Sequence, residues 1–287
     1  MNRVNNLKNI ILIPVYNDWK SLNLLLNQIN DQIIKIGQVQ ILIVNDASTQ
    51  KPKLNKKNFN KIKKIKILNL NTNFGSQKAI CIGLDYLSKI KSTFYLTIMD
   101  GDGEDNPSEL NKMINLAVKH KNSVVTSHRL KRNENLIVKL GYRLHLIIAF
   151  VFTWKWISFG NFSTFHSRLL KKIDRNDLWL AYSSGILKNF KIVKTFAVRQ
   201  KRYFGTSKVS FIKLIEHSMR VISVYYKRVI ITSLLILLIL YIIKIKGFFL
   251  ILSLIIFFIA FLSFIRFKNK PLKKIKSNNF IKSIDLY

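Results

Sequence analysis

Acidic side chains are scarce in this chain: 14 Asp and Glu stand against 48 Lys and Arg in 287 residues, a formal net charge of +34. That imbalance points to an anionic partner, whether phospholipid, nucleic acid or a phosphorylated substrate, and a coding bias toward Lys, Asn and Ile accounts for part of it. The lysines are scattered rather than gathered on one recognition element, which argues against a nucleic-acid-binding module. Only one cysteine is present, Cys81, within the apolar run AICIGL. It excludes an intrachain disulfide and suits a reducing compartment. No secretory leader is expected, because MNRVNNLKN passes directly into a strand-like segment. No GxGxxG follows the first apolar run, which removes the dinucleotide fingerprint.

What the chain does contain is an alternation of β-branched runs with amphipathic segments. Residues 9–16, 39–46, 64–70, 94–100 and 123–127 read as strands buried on both faces, and 18–36, 76–90 and 107–120 as helices. Strand and helix in turn predict βαβ units and a mainly parallel α/β sheet.

The last third is different. VIITSLLILLILYII (229–243) carries no charge, KIKG interrupts it, and FFLILSLIIFFIAFLSFI (248–265) follows. A helix rises about 1.5 Å per residue against a hydrocarbon core of about 30 Å, so the second run nearly spans a bilayer. Lys227, Arg228, Lys244 and Lys246 can snorkel and extend the first. The expectation is a transmembrane hairpin over 229–267 with both flanks on the cytoplasmic side, since eight Lys/Arg precede it from residue 199 and seven follow from Arg266. Residues 210–228 read as an amphipathic juxtamembrane helix, with Phe211, Leu214, Ile215, Met219, Ile222 and Tyr226 on one face. Residues 144–157, with Trp154 and Trp156, suit either a membrane boundary or a core helix. The remainder, 268–287, reads as a basic cytoplasmic tail.

Four of the few acids crowd into MDGDGEDNP: Asp100, Asp102, Glu104 and Asp105. They follow the fourth strand at its carboxyl end, where open α/β sheets bind ligands. Asn106 as N-cap, Pro107 as first helical residue and Glu109 at capping-box spacing explain part of the stretch structurally. A calcium EF-hand is excluded, because the sixth and twelfth places after Asp100 hold Asp105 and Asn111 rather than Gly and Glu. Asp100 and Asp102 remain, and carboxylates two apart can share a divalent cation.

Together with IPVYND (13–18), VNDAST (44–49) and NTNFGSQKAICIGL (71–84), this loop resembles glycosyltransferase family 2, the inverting GT-A enzymes. The resemblance runs over about residues 8–210, giving an expected GT-A domain of 1–209. SHRLKR (127–132), GNFSTFHSRLLKKI (160–173) and RYFGTSK (202–208) bring it nearest to polyprenyl-phosphate glycosyltransferases of the dolichyl-phosphate mannose synthase kind. The resemblance implies that Tyr16, Asp18 and Asp46 hold the nucleoside, with Pro14, Asn73, Gln77 and Gly101 also at the nucleotide sugar. It implies that Asp100 and Asp102 bind donor and Mg²⁺ or Mn²⁺, and that Arg129, Arg132, Arg202 and Lys208 hold an acceptor phosphate. Catalysis then falls to Asp100, Asp102 and Arg202. The implied partners are a nucleotide sugar, polyprenyl phosphate and the membrane, and a homo-oligomer is compatible with the pattern.

The pattern breaks in two places. Relatives carry an acid near the glycine of the segment equivalent to SFGNFSTF, and this chain has Ser158 and Asn161 there. The second-strand motif opens with Asn45 rather than Asp. An alcohol acceptor needs a base, whereas a phosphate monoester is already anionic at neutral pH. His166 and His128 are the imidazoles that could replace the base. The alternatives are transfer to a glycan or glycolipid hydroxyl, and a non-catalytic membrane protein that binds nucleotide sugar.

Overall fold

The computed structural model describes residues 7–54, 59–129, 136–198, 200–205, 211–271 and 275–287. Strand β1 (Lys8–Val15) leads through helix α1 (Trp19–Ile36) to β2 (Gln38–Asn45), and a loop joins it to β3 (Lys64–Leu70). Helix α2 (Ser76–Ser88) then carries the chain back to β4 (Tyr95–Ile98), which lies on the other side of β1. These four strands are mutually parallel along β3-β2-β1-β4. The order reverses between β1 and β4, so their carboxyl ends frame a crevice. The five strands expected from sequence are all present, and β1 shows why they read as apolar runs. Ile10 to Val15 are buried, because helices cover both faces.

On one face Trp19, Leu22, Leu25, Leu26 and Ile29 of α1 pack with Leu110, Met113 and Ile114 of α3 (Leu110–Lys119). On the other, Ala79 to Leu84 and Leu87 of α2 pack with Leu178, Trp179 and Tyr182 of α5 (Arg175–Leu180) and α6 (Tyr182–Asn189). Gly83 is obligatory there, since a Cβ would stand 2.6 Å from Leu12 Cδ1. Asn106 caps the turn before α3 by accepting the Ser108 N–H at 3.0 Å, as the capping pattern predicts.

Three strands fall outside that expectation. β6 (Phe159–His166) runs antiparallel between β4 and β5 (Ser123–Arg129), and β7 (Lys191–Ala197) joins the far edge parallel to β5. Polar residues disguise β6, and their hydroxyls are paired inside the sheet: Thr164 with Thr97 at 2.8 Å, and Ser163 with Tyr182 at 2.6 Å. β8 (Ile281–Leu286) pairs antiparallel with β3 at the other edge. The end of the stretch expected as a basic tail, Ile281–Leu286, is therefore part of the sheet. Asn69 donates to Ser283 Oγ and Asp285 Oδ2, Ile65 and Tyr287 exchange backbone hydrogen bonds, and Ser277 N–H donates to Asp85 at 2.7 Å.

The helices α7 (Phe211–Ser223), α8 (Tyr226–Ile242) and α9 (Phe248–Lys268) follow β7. α7 meets α8 at 90°. The apolar face of α7, expected against lipid, is partly covered by protein: Ile222 is buried with Ala149, Val229 and Leu262, and Met219 and Tyr226 join them. Ala149 comes from α4 (Leu136–Thr153), the helix over the tryptophan-rich segment. α8 and α9 expose most of their apolar surface, Phe249 being 82% accessible. Among the described residues, α9 alone is long and apolar enough to cross a membrane by itself; α8 passes that test only when joined to α7.

Candidate active site

Loop geometry at the carboxyl ends of β1, β2 and β4 follows from a few polar residues. Asn17 adopts φ 52°, and its side-chain oxygen accepts from Thr49 N–H and Gln50 N–H, while its own N–H donates to Ser48 Oγ. The loop after β1 is thereby stitched to the loop after β2. Asn45, where an acid was expected, donates to Asn69 Oδ1 at 2.8 Å and accepts the Ser48 N–H at 3.0 Å. A carboxylate could not make that donation.

Asp46, only 2% exposed, accepts Phe74 N–H at 2.8 Å and Gly75 N–H at 2.7 Å with its two oxygens. Burial pushes its carboxyl above the usual range, against the opposing pull of those two amides and Lys78. Asp46 thus shapes the 71–75 loop, on which Asn73 is exposed. Gln77 accepts the Tyr182 N–H at 3.1 Å and lies 3.4 Å from the His217 ring, so its amide serves the packing of α2 on α6 and α7. Pro14 is buried, Asp18 is half-buried at the start of α1, and Tyr16 stands 46% exposed at the mouth of the crevice.

The acidic loop is held from every side. Asp100 sits just beyond β4, and its N–H donates to Asp105 Oδ2 at 2.9 Å. The β4–β6 register pairs Ile98 with Ser163, so antiparallel β6 brings Asn161 opposite Asp100. The Asn161 amide donates to Asp100 Oδ1 at 3.0 Å. Of the two residues at the places of the missing acid, Asn161 therefore touches the first aspartate of the Asp-x-Asp pair, while Ser158 meets His128.

Asp102 accepts the Glu104 N–H at 3.1 Å and an Arg202 guanidinium N–H at 2.5 Å. Backbone bonds from Gln200 to Glu104 and from Tyr203 to Asp102 bind the 200–203 segment across the loop. Gly103 takes φ +87°, and a Cβ there would lie 2.2 Å from the Tyr203 ring, whose hydroxyl donates to Gln28 at 2.6 Å. Tyr203 and Asn17 are positioning residues the motif reading missed. A glycine at 103 and an asparagine before Asp18 were the available signals.

Asp100, Glu104, Asp105, Asn161 and Ser127 line a small cleft of about 30 Å³. Asp100 and Asp102 offer the hard oxygen donors that suit Mg²⁺ or Mn²⁺. They supply two carboxylates rather than a ready cage: among the described residues no group of three His, Cys, Asp or Glu is arranged to hold a metal ion, and Arg202 closes Asp102. Arg129 ends β5, its side chain outside the described residues, as are Arg132, Lys208 and Arg199.

Both candidate histidines are engaged in structural contacts. His128 bonds Thr126 Oγ1 at 3.0 Å through one nitrogen and Ser158 Oγ at 3.1 Å through the other, and burial, then Lys194, lower its pKa. His166 pairs with Tyr95 at the amino end of β4 and accepts the Arg168 N–H, so it is at the wrong end of the sheet. Asp174 caps α5, and Asp177 is buried against Lys188 at 2.8 Å.

A mostly parallel sheet with this reversal, and an Asp-x-Asp loop at its switch point, define a GT-A-type glycosyltransferase fold. The family model for Glycosyl transferase family 2 matches residues 10–189, and the chain belongs to that family. Among curated proteins it is 26% identical over 222 residues to undecaprenyl-phosphate 4-deoxy-4-formamido-L-arabinose transferase of Pectobacterium atrosepticum, covering 74% of this chain and 66% of that protein, just under two thirds of its length. Among solved structures, glucosyl-3-phosphoglycerate synthase of Mycobacterium tuberculosis is similar with phosphoglyceric acid bound (TM-score 0.51, 13% identity, 78% of this chain and 80% of that one). The same enzyme solved with Mn²⁺ and UDP-glucose gives a TM-score of 0.51 at 13% identity over 78% of this chain and 79% of that one. The family match places the chain in glycosyltransferase family 2, and the structural likenesses show its fold.

Proposed function

We propose that this chain transfers a hexose from a nucleotide sugar to polyprenyl phosphate at the cytoplasmic face of a membrane, with inversion at the anomeric carbon. The observation that carries the acceptor class is Asn161, whose amide faces Asp100 at 3.0 Å where relatives would present an acid. An amide cannot take a proton from an alcohol. A phosphate monoester has a second pKa of about 6, so its oxygen arrives ionised. That oxygen attacks C1, the bond from C1 to the nucleoside diphosphate breaks, and the diphosphate departs with the electron pair. The undecaprenyl-phosphate relative agrees with this class.

Tyr16, Asp18 and Pro14 border the nucleoside side of the crevice, with Asp46 and Gln77 fixing the loop and helix that carry Asn73. Gly101 lets the loop pack closely on the end of β1, where an added Cβ would stand 3.3 Å from Ile13 and 3.4 Å from the Pro14 carbonyl. Asp100 and Asp102 are the residues that would hold Mg²⁺ or Mn²⁺, which would neutralise the departing diphosphate. Arg202 is at once the counter-ion of Asp102 and a candidate phosphate ligand, so engaging the acceptor means leaving the aspartate. Its Nε, buried and without a hydrogen-bond acceptor in the described structure, is one more donor for that role. Arg129, Arg132 and Lys208 complete the proposed acceptor set.

Membrane attachment through α8 and α9 is part of the proposal. At about 1.5 Å per residue, 21 residues of α9 reach across a bilayer core and 17 of α8 nearly do. Because β8 is bonded to β3, the chain after α9 returns to the side of the catalytic sheet. That pairing supports a hairpin that crosses twice over a single crossing by α9.

Purified protein in detergent, given polyprenyl phosphate, Mn²⁺ and labelled nucleotide sugars, should yield a lipid-linked sugar labile to mild acid. Polyprenol in the same assay should yield none. Failure across UDP-hexoses and GDP-mannose with folded protein, or equal use of polyprenol, rejects the reading.

A further inference from the structure

Three segments distant in sequence meet where α2 begins. Gln77 in its first turn lies 3.4 Å from the His217 ring of α7, and Lys268 in the last turn of α9 pairs with Glu216 of α7 at 3.9 Å. The junction gathers Lys78, Arg220 and Lys268. Lys78 is half-buried with its ammonium 5.4 Å from the centroid of Trp179, and no hydrogen-bond acceptor reaches it among the described residues. Arg220 is half-buried too, and its Nε is shielded from water with no acceptor. Glu216 is the acid at the junction, and the oxygens of nearby Asp46 are already engaged by Phe74 and Gly75.

A shielded cation without an acceptor costs free energy, and like charges brought together add to that cost. The titration behaviour agrees with the geometry. Burial first, then Arg220, lowers the pKa of Lys78 against the pull of Glu216, with Lys268 adding to the fall and Asp46 opposing it, and burial lowers that of Arg220 against Glu216. His217 is pushed down to about 4, chiefly by burial, and is neutral at pH 7. The first turn of α2 holds no acidic residue.

From this convergence of three cations around one acid we infer that the α2–α7–α9 junction is an anion site that takes a phosphate group through Lys78 and Arg220, with Lys268 at its rim. It is separate from the acceptor contacts proposed for Arg202. A forked guanidinium and an ammonium together suit phosphate oxygens. The phosphate can come from a lipid headgroup, since Lys268 marks the end of α9, or from a free phosphate. The lipid source rests on the hairpin lying in a membrane; the free source does not.

The test compares wild type, Lys78→Met and Lys78→Met/Arg220→Gln as full-length protein in detergent, with Lys172→Met as a surface control. Melting temperature is measured with inorganic phosphate, with phosphatidylglycerol vesicles and with phosphatidylcholine vesicles. At ten times its Kd the anion should raise the wild-type and Lys172→Met melting temperatures by about 3–6 °C. Both Lys78 variants should lose that rise and, without anion, melt no lower than wild type. A rise with inorganic phosphate identifies the free source, and one confined to phosphatidylglycerol the lipid. No rise in any arm, an undiminished rise in the variants, or variants destabilised without anion overturns the site. Sugar transfer is not the readout, so the result stands apart from the acceptor reading.

Discussion

In the acidic loop 100–105, Asp102 meets Arg202 at 2.5 Å and Asp100 takes the Asn161 amide at 3.0 Å, whereas at the α2–α7–α9 junction Lys78, Arg220 and Lys268 share Glu216. Both regions crowd like charges, and they relieve the crowding differently. The loop does so internally, with Asn161, Arg202 and backbone amides supplying opposite partial or full charge. The junction has no comparable supply. A saturated region is held in one geometry and must open to act; an unsaturated one is primed for an outside partner.

The contrast can be broken at several points. Asp102→Asn should cut sugar transfer by about 10³-fold or more with unchanged circular dichroism, since it removes charge at the donor site; near-normal turnover would make the loop purely structural. Gly103→Ala forces a Cβ into the Tyr203 ring at positive φ and should cost about 2–4 kcal/mol in urea unfolding. Little change there would mean that the 200–203 clamp is loose.

His217 tests the other region. The unfolded imidazole takes up a proton below its ordinary 6.5, while the folded one waits until about 4. Between those values the unfolded chain binds more protons, so stability is full above pH 6.5 and falls as the pH drops. At pH 5 the loss from this residue is about 2 kcal/mol, and His217→Gln should flatten that part of the profile. Asn161→Asp places a second carboxylate against Asp100 and should lower stability by about 1 kcal/mol without divalent cation. Mn²⁺ should restore it, and a variant indifferent to Mn²⁺ would separate Asp100 from any metal role. Finally, Cys81, buried under α2 with its thiol pushed up to about 12 by burial, should resist alkylation until the chain unfolds, as mass spectrometry can follow.

The parallel half of the fold is legible because burial on both faces turns β1 to β4 into uninterrupted apolar runs, and the DGD, NDAST and NFG stretches mark the loops at their ends. β6 is harder to read, since Ser163 and Thr164 look like loop residues until Tyr182 and Thr97 are seen to pair with them. β8 looks like a solvated basic tail because an edge strand needs few apolar residues and its partner, β3, lies more than two hundred residues earlier. The α7 stripe is legible as amphipathic, but the sequence cannot say that α4 and α9 would cover part of it.

By itself the sequence determined the α/β class and the family, because periodicity, turn chemistry and motif spacing are local properties. Tertiary structure decided that Asn161 lies on Asp100, that Arg202 closes Asp102, that Asp46 serves the loop beneath Asn73, and that the chain after α9 rejoins the sheet. Each is a contact between residues far apart in the chain, set by strand register and helix packing, and a one-dimensional pattern carries no distance across the fold.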